Sequence, residues 1–146
     1  MKKEINITQL NQLLKDLDKV LKINSGGCCY IAYIIAKNLE KYKIPFKVIL
    51  MDDTLKEPSY YFQGIKNREL SVIDYGFAHV CIKVYSKVIN PYRFRIRMDS
   101  RTVELDSKDL LWLYRRGDWN EMYDTTNNNI LIRFLNKICK KLIRQF

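Results

Sequence analysis

Between Thr8 and Lys22, apolar residues fall at Leu10, Leu13, Leu14, Leu17, Val20 and Leu21, with polar residues filling the gaps. That spacing follows the 3.6-residue period of a helix with one buried stripe, and Thr8 is a suitable cap for its first turn. The run "NSGG" (24–27) interrupts the pattern. A second helix is expected from Cys28 to about Tyr42, and it differs in kind. It carries no charge from Cys28 through Ala36, and its apolar residues surround the axis. A helix apolar on nearly every side belongs in the middle of a domain. Lys41 and Lys43 mark its end, and Pro45 stops further propagation.

The period then changes. "KIPFKVILMD" (43–52) reads as a β-strand, rich in Ile, Val and Phe. Residues 53–69 are polar and aromatic and suit a long loop or irregular strand, with Gly64 as a turn. "LSVID", "HVCIKVYS" and "YRFRIRMD" read as successive strands, separated by the turns "DYGF" and "KVINP". Two-residue alternation puts Val80, Ile82 and Val84 on one face, matched by Phe94, Ile96 and Met98. After Asp106 the helical period returns. "DSKDLLWLYRRGDWNEMYD" predicts two short helices broken at Gly117, with Ser107 as cap. A final helix carries Leu131, Phe134, Leu135, Ile138 and Leu142 as its apolar stripe. Helices, then contiguous antiparallel strands, then helices make an α+β fold, read as one domain over residues 1–146.

Composition narrows the setting. The hydrophobic fraction of 47% excludes a disordered chain, and no apolar run is long enough to span a bilayer. The N-terminus has no apolar stretch with a small-residue cleavage site, so the expected setting is cytoplasmic and membrane-free. The four cysteines, Cys28, Cys29, Cys81 and Cys139, are then expected to be reduced thiols. The net charge of +10 favours acidic partners such as nucleic acid, but a solvated lysine-rich surface produces the same number. The basic strand face (Lys83, Arg93, Arg95, Arg97) and the basic last helix (Arg133, Lys137, Lys140, Lys141, Arg144) carry that case, with Tyr85 and Tyr92 as stacking residues.

His79 is the only histidine, so any cysteine–histidine chemistry must use it. It opens its strand on the face opposite Val80, Ile82 and Val84. If "KVINP" is the hairpin turn, centred near Ile89, His79 faces Asp99 across the pair. Asp99 would then orient the imidazole and stabilise its cation. Cys28 stands at a helix N-terminus, where unpaired N–H groups and the helix dipole favour a thiolate. Gly26 and Gly27 let the chain turn sharply there and leave room for a substrate, and the same N–H groups suit a developing oxyanion. Cys28 shares a helix face with Ala32, Ile35 and Leu39, which suits packing against the sheet. Cys29 aligns with Tyr33, Ala36 and Glu40 and reads as packing. Asp106 is the alternative acid and Asp74 a third. The competing reading of Cys28 is a buried structural thiol, and of His79 a strand residue satisfied by a carbonyl. Adjacent cysteines chelate poorly, so neither a metal nor another cofactor is expected.

"GGCCYIAYIIAKNLEKYKIPFKVIL" resembles the Gly-x-Cys-x-x-x-Ala helix and following strand of transglutaminase-like and papain-like thiol enzymes, through Gly26, Cys28 and Ala32. "AHVCIKV" is similar to the strand that opens with their catalytic histidine, and "RFRIRMD" to the strand that ends in their aspartate. The resemblance spans roughly residues 24–100. It implies a papain-like or transglutaminase-like core: a central Cys-bearing helix on an antiparallel sheet, flanked by N- and C-terminal helices. It further implies a catalytic triad of Cys28, His79 and Asp99. The activity would be that of a cysteine hydrolase or acyltransferase, cysteine protease-like or transglutaminase-like. It would act on an amide, ester or thioester of a protein, peptide or small acyl donor. Asn24 is the nearest amide for the oxyanion, with Gly27 beside it. Tyr60 and Tyr61, in the loop between the Cys helix and the His strand, are the candidates for substrate contact. The rival reading is a non-catalytic binding or structural protein on the same fold, holding nucleic acid or a protein partner on its basic surface.

Overall fold

A computed structural model of the chain describes residues 3–21, 28–52, 79–91, 99–116 and 126–145. It is an α+β arrangement. In chain order the elements are β1 (Lys3–Ile5), α1 (Ile7–Leu21), α2 (Cys28–Lys41), β2 (Lys47–Asp52), β3 (His79–Val84), β4 (Lys87–Ile89), β5 (Asp99–Val103), α3 (Ser107–Arg116), α4 (Thr126–Leu142) and β6 (Ile143–Gln145). The main sheet runs β4-β3-β2-β5, every pair antiparallel, and β1 and β6 form a separate two-stranded ribbon.

Helix α2 is the centre. Cys28, Ile35, Ala36 and Leu39 are wholly buried, and Ile31, Ala32 and Ile34 nearly so. It packs on β3 and also touches α3 and α4, so most of its surface is covered, and only the side of Tyr33, Lys37 and Lys41 reaches water. Val48, Leu50, Val80, Ile82 and Val84 meet it as one buried sheet face. The end of α2 is a Schellman turn: Ile44 N–H bonds to Leu39 O at 2.9 Å and Lys43 N–H to Glu40 O at 3.1 Å. Lys43 takes φ 58°, a position usually given to glycine, and Pro45 follows.

Several expectations are corrected. Helix α1 is capped by Asn6, whose Oδ1 accepts from Gln9 N–H at 3.1 Å; Thr8 lies inside the helix. Val20 is 79% exposed and leaves the apolar stripe, while Leu10 and Leu14 are fully buried; the Leu21 side chain lies outside the described ones. Helix α3 is capped by Asp106 instead of Ser107. Asp106 Oδ1 accepts from Asp109 N–H at 2.9 Å, and Asp109 Oδ2 accepts in return from Asp106 N–H at 3.0 Å. Ser107 instead donates its backbone N–H to Glu40 of α2 at 3.1 Å, and its hydroxyl to the same carboxylate. On α4, Phe134 is 39% exposed and Cys139 fully buried, so the cysteine takes the core place expected for the phenylalanine.

The largest correction is the hairpin. The expected turn "KVINP" is strand β4, and the reversal falls at Tyr85–Ser86, with Val84 opposite Lys87 and Ile82 opposite Ile89. Tyr85 adopts φ 55° without the glycine or asparagine that normally announces such a turn. Strand β5 pairs with β2, not with the His79 strand. The predicted loop at 53–69, the strand "LSVID", residues 92–98 with Arg93, Phe94, Arg95, Ile96 and Arg97, and the second short helix after Gly117 lie outside the described residues.

Candidate active site

Cys28 is the first residue of α2 and His79 the first of β3, and α2 lies against β3. Alternation along β3 turns Val80 toward α2 and His79 to the other face, so the structure brings Cys28 to the strand at Val80 and shows no contact between the thiol and the imidazole. The backbones of Val80 (the residue after His79), Cys29 and Cys28 lie where they lower the thiol's value. All three favour the thiolate, as N–H donors at a helix start do. Burial outweighs them. The thiol is fully enclosed, and desolvation pushes it up to about 11. The expected thiolate is therefore corrected: removing the sulfur from water costs the anion more than the helix terminus returns. Cys81 is likewise pushed up to about 12, by its own burial and by the nearness of Cys28. Cys29 is raised well above the usual range by burial, and its Sγ donates to Leu110 O at 3.4 Å, tying α2 to α3.

His79 is 2% exposed. Its Nε2 lies 2.6 Å from the backbone carbonyl of Asn90. A carbonyl only accepts, so Nε2 carries the proton, and in the neutral ring Nδ1 is the basic nitrogen. The carbonyl is itself held in place. Asn90 sits at φ 60° between β4 and Pro91, and its N–H donates to Asn11 Oδ1 at 2.7 Å. Asn11 Nδ2 donates to Val88 O at 2.8 Å, so one side chain of α1 grips β4 on both sides of Ile89.

Asp99 does not occupy the position expected of it. Its register partner is Asp52, whereas His79 is opposite Met51, which in turn is opposite Ser100. Strand β2 thus lies between the strands of His79 and Asp99. The alternative acid, Asp106, is exposed and serves as the cap of α3. Asn24, Gly26, Gly27, Tyr60, Tyr61 and Asp74 lie outside the described residues. Asn90 and Asn11 were missed by the sequence reading. The usable signal was Asn before Pro, since Asn tolerates positive φ and a residue before Pro avoids helix.

Among the described residues, no group of three or more His, Cys, Asp or Glu side chains is placed to hold a metal ion, and no helix is long and apolar enough to cross a membrane.

Asn11→Ala is expected to lower the unfolding free energy by about 1–3 kcal/mol, because it removes two hydrogen bonds and leaves the Asn90 N–H and the Val88 carbonyl without them. Urea melts measure that loss. ¹⁵N NMR of the single histidine checks the coupling, since release of the Asn90 carbonyl should mix the Nε2–H tautomer with the other. An unmixed tautomer would show that Asn11 does not hold the carbonyl.

No protein-family model, curated protein or solved structure matches this chain.

Proposed function

We propose that the chain is a thiol-dependent hydrolase or acyltransferase with a papain-like or transglutaminase-like core. Cys28 is its nucleophile and His79 its general base. The observation that carries this reading is the place of the two residues: Cys28 opens the buried helix α2 and His79 opens β3, the strand that α2 packs against. The Nε2 bond to Asn90 O supplies the orientation that Asp99 was expected to supply.

The reaction starts from a neutral thiol. As sulfur attacks the carbonyl carbon of an amide, ester or thioester, the S–H proton passes to Nδ1 of His79 and an S–C bond forms. The carbonyl π-electrons move to oxygen. The N–H groups of Cys28 and Cys29, which open α2 and act on the sulfur in the free thiol, turn to that oxyanion once the S–C bond has formed. Collapse breaks the bond to the leaving amine, alcohol or thiol, which takes the proton back from the imidazolium. Water or a second amine, deprotonated by the same Nδ1, then releases the acyl group.

Two pH profiles test it. Alkylation of Cys28 by iodoacetamide should rise about tenfold per pH unit toward the thiol's value, because only the thiolate reacts; that value is about 11. Transfer from an activated thioester should instead rise less steeply with pH than alkylation does, because His79 takes the S–H proton as the S–C bond forms. Its acyl adduct should map to Cys28 by mass spectrometry. Thioester and iodoacetamide profiles that climb in parallel would remove His79 from the chemistry, and an adduct on another cysteine would remove Cys28.

A further inference from the structure

A groove of ≈ 800 Å³ runs along the outer side of α2 toward α4, far from the Cys28 end of the helix. Lys41 lies 13 residues beyond Cys28 on α2 (41 − 28), roughly 20 Å along the axis. Its two rims are basic. Lys37 and Lys41, one turn apart, stand on the α2 side, and Lys137 and Lys140 on the α4 side. Glu40 is the one acidic residue among the described lining, and its carboxylate is committed to Ser107. Among the described residues none of the four lysines has an acidic partner. Lys37 rests over the Tyr33 ring at 5.8 Å and Lys41 over the Tyr42 ring at 5.6 Å.

The floor holds a second, independent observation. Asn38 is 6% exposed, and both hydrogens of its Nδ2 are used, one on Ile34 O at 2.9 Å and one on Asn136 Oδ1 at 2.7 Å. Among the described residues nothing donates to its Oδ1. A buried amide oxygen without a donor carries a desolvation cost until something supplies an N–H or O–H. Asn136, exposed beside it, has its Nδ2 still available. An acceptor and a donor on two adjoining amides therefore line the same groove as four cations, and an amide acceptor and donor are the groups that read the amino and ring-nitrogen edge of adenine.

We propose that this groove binds a free adenine-type nucleotide. The phosphates lie between the lysine rims, and the base edge meets Asn38 Oδ1 and Asn136 Nδ2. The volume favours a single small ligand, since such sites enclose about 300–1,000 Å³. A groove that follows a nucleic-acid strand would continue past one nucleotide.

Titration of the whole chain by calorimetry with adenosine triphosphate, inorganic tripolyphosphate and an oligo(dA) strand tests the assignment. The triphosphate should bind, and tripolyphosphate, which has comparable charge and no base, should bind at least about tenfold more weakly. The double change Lys137→Glu, Lys140→Glu should weaken nucleotide binding by about tenfold or more, at unchanged urea midpoint, because both side chains are exposed. Asn136→Ala, also at an exposed position, should abolish the preference for nucleotide over tripolyphosphate. Equal binding of the two anions, indifference to the charge reversal, or markedly tighter binding of the oligonucleotide would each overturn the proposal. Acyl transfer at Cys28 is read separately, so either outcome leaves that reaction independently decided.

Discussion

Above pH 9 the urea midpoint of the chain is expected to fall steeply, and the fold to be lost before pH 12. Four buried thiols set this limit. Burial pushes Cys28 up to about 11 and Cys81 and Cys139 up to about 12, and Cys29 is raised well above 9.0. In the unfolded chain each thiol loses its proton near the ordinary value, 9.0. Between that value and the folded one, the folded state holds more protons than the unfolded state, so stability drops as pH rises. Their contribution is complete below pH 9 and disappears as pH passes through 11 to 12. Each thiol accounts for on the order of 1.4 kcal/mol per pH unit. Four together reach at most about 6 kcal/mol per unit, comparable with the whole stability of a small domain. Urea melts at pH 8, 9 and 10 measure the slope. Cys139→Ala should reduce it by about one quarter, because that thiol lies in α4, away from the other three. A midpoint that stays level from pH 8.5 to 10.5 would contradict the burial of the thiols.

The second large effect concerns the imidazole. His79→Ala should slow acyl transfer by about 10²–10⁴-fold, the range in which a positioned general base acts. Asp99→Asn is expected to change the rate by no more than about threefold, because the partner of Nε2 is the Asn90 carbonyl. Were Asp99 the orienting group, the same substitution would cost about 10⁴-fold by stabilising the wrong tautomer. The two outcomes differ by more than any uncertainty in assay. ¹⁵N NMR adds a readout that a merely structural role would not move: a single resonance pair with the proton on Nε2, unaltered in Asp99→Asn. Equal losses in the two variants would return the role to Asp99.

Much of the central frame was legible in the chain. A charge-free helix between a glycine break and a proline has few places to go except the core, and α2 runs Cys28–Lys41 as its pattern requires. The alternation of Val80, Ile82 and Val84 correctly marked one buried face of β3. Pairing was less legible, because alternation states which face a residue takes and says nothing about which strand lies alongside. The turn at Tyr85 lacks the residues that mark a reversal, so the hairpin was placed later in the chain, and the pairing of His79 with Asp99 followed from that displacement. Caps were missed at both α1 and α3 for a related reason. Asn6, Thr8, Asp106 and Ser107 are all able to cap, and only tertiary contacts such as Ser107 with Glu40 decide among them. At the candidate site, residue type and position nominated Cys28 and His79. Their ionisation and orientation could not be read, since one depends on burial and the other on a main-chain carbonyl that no sequence pattern names.

The β1–β6 ribbon has a mechanical consequence. Lys3 pairs with Gln145, Glu4 with Arg144 and Ile5 with Ile143, and Asn6 N–H then bonds to Leu142 O at 2.9 Å. Tension applied through residues 3 and 145 acts across these bonds, and it reaches the outermost pair first. The ribbon must therefore open like a zip, one pair at a time, with no two pairs sharing the load. Strands pulled in that geometry yield at low force, and the ribbon gives way before tension is transmitted to α1 and α4 and, through them, to α2 and β3. The ribbon thus acts as a fuse. Traction on the chain is absorbed first by a few main-chain bonds at its margin, before it reaches the helices and the main sheet.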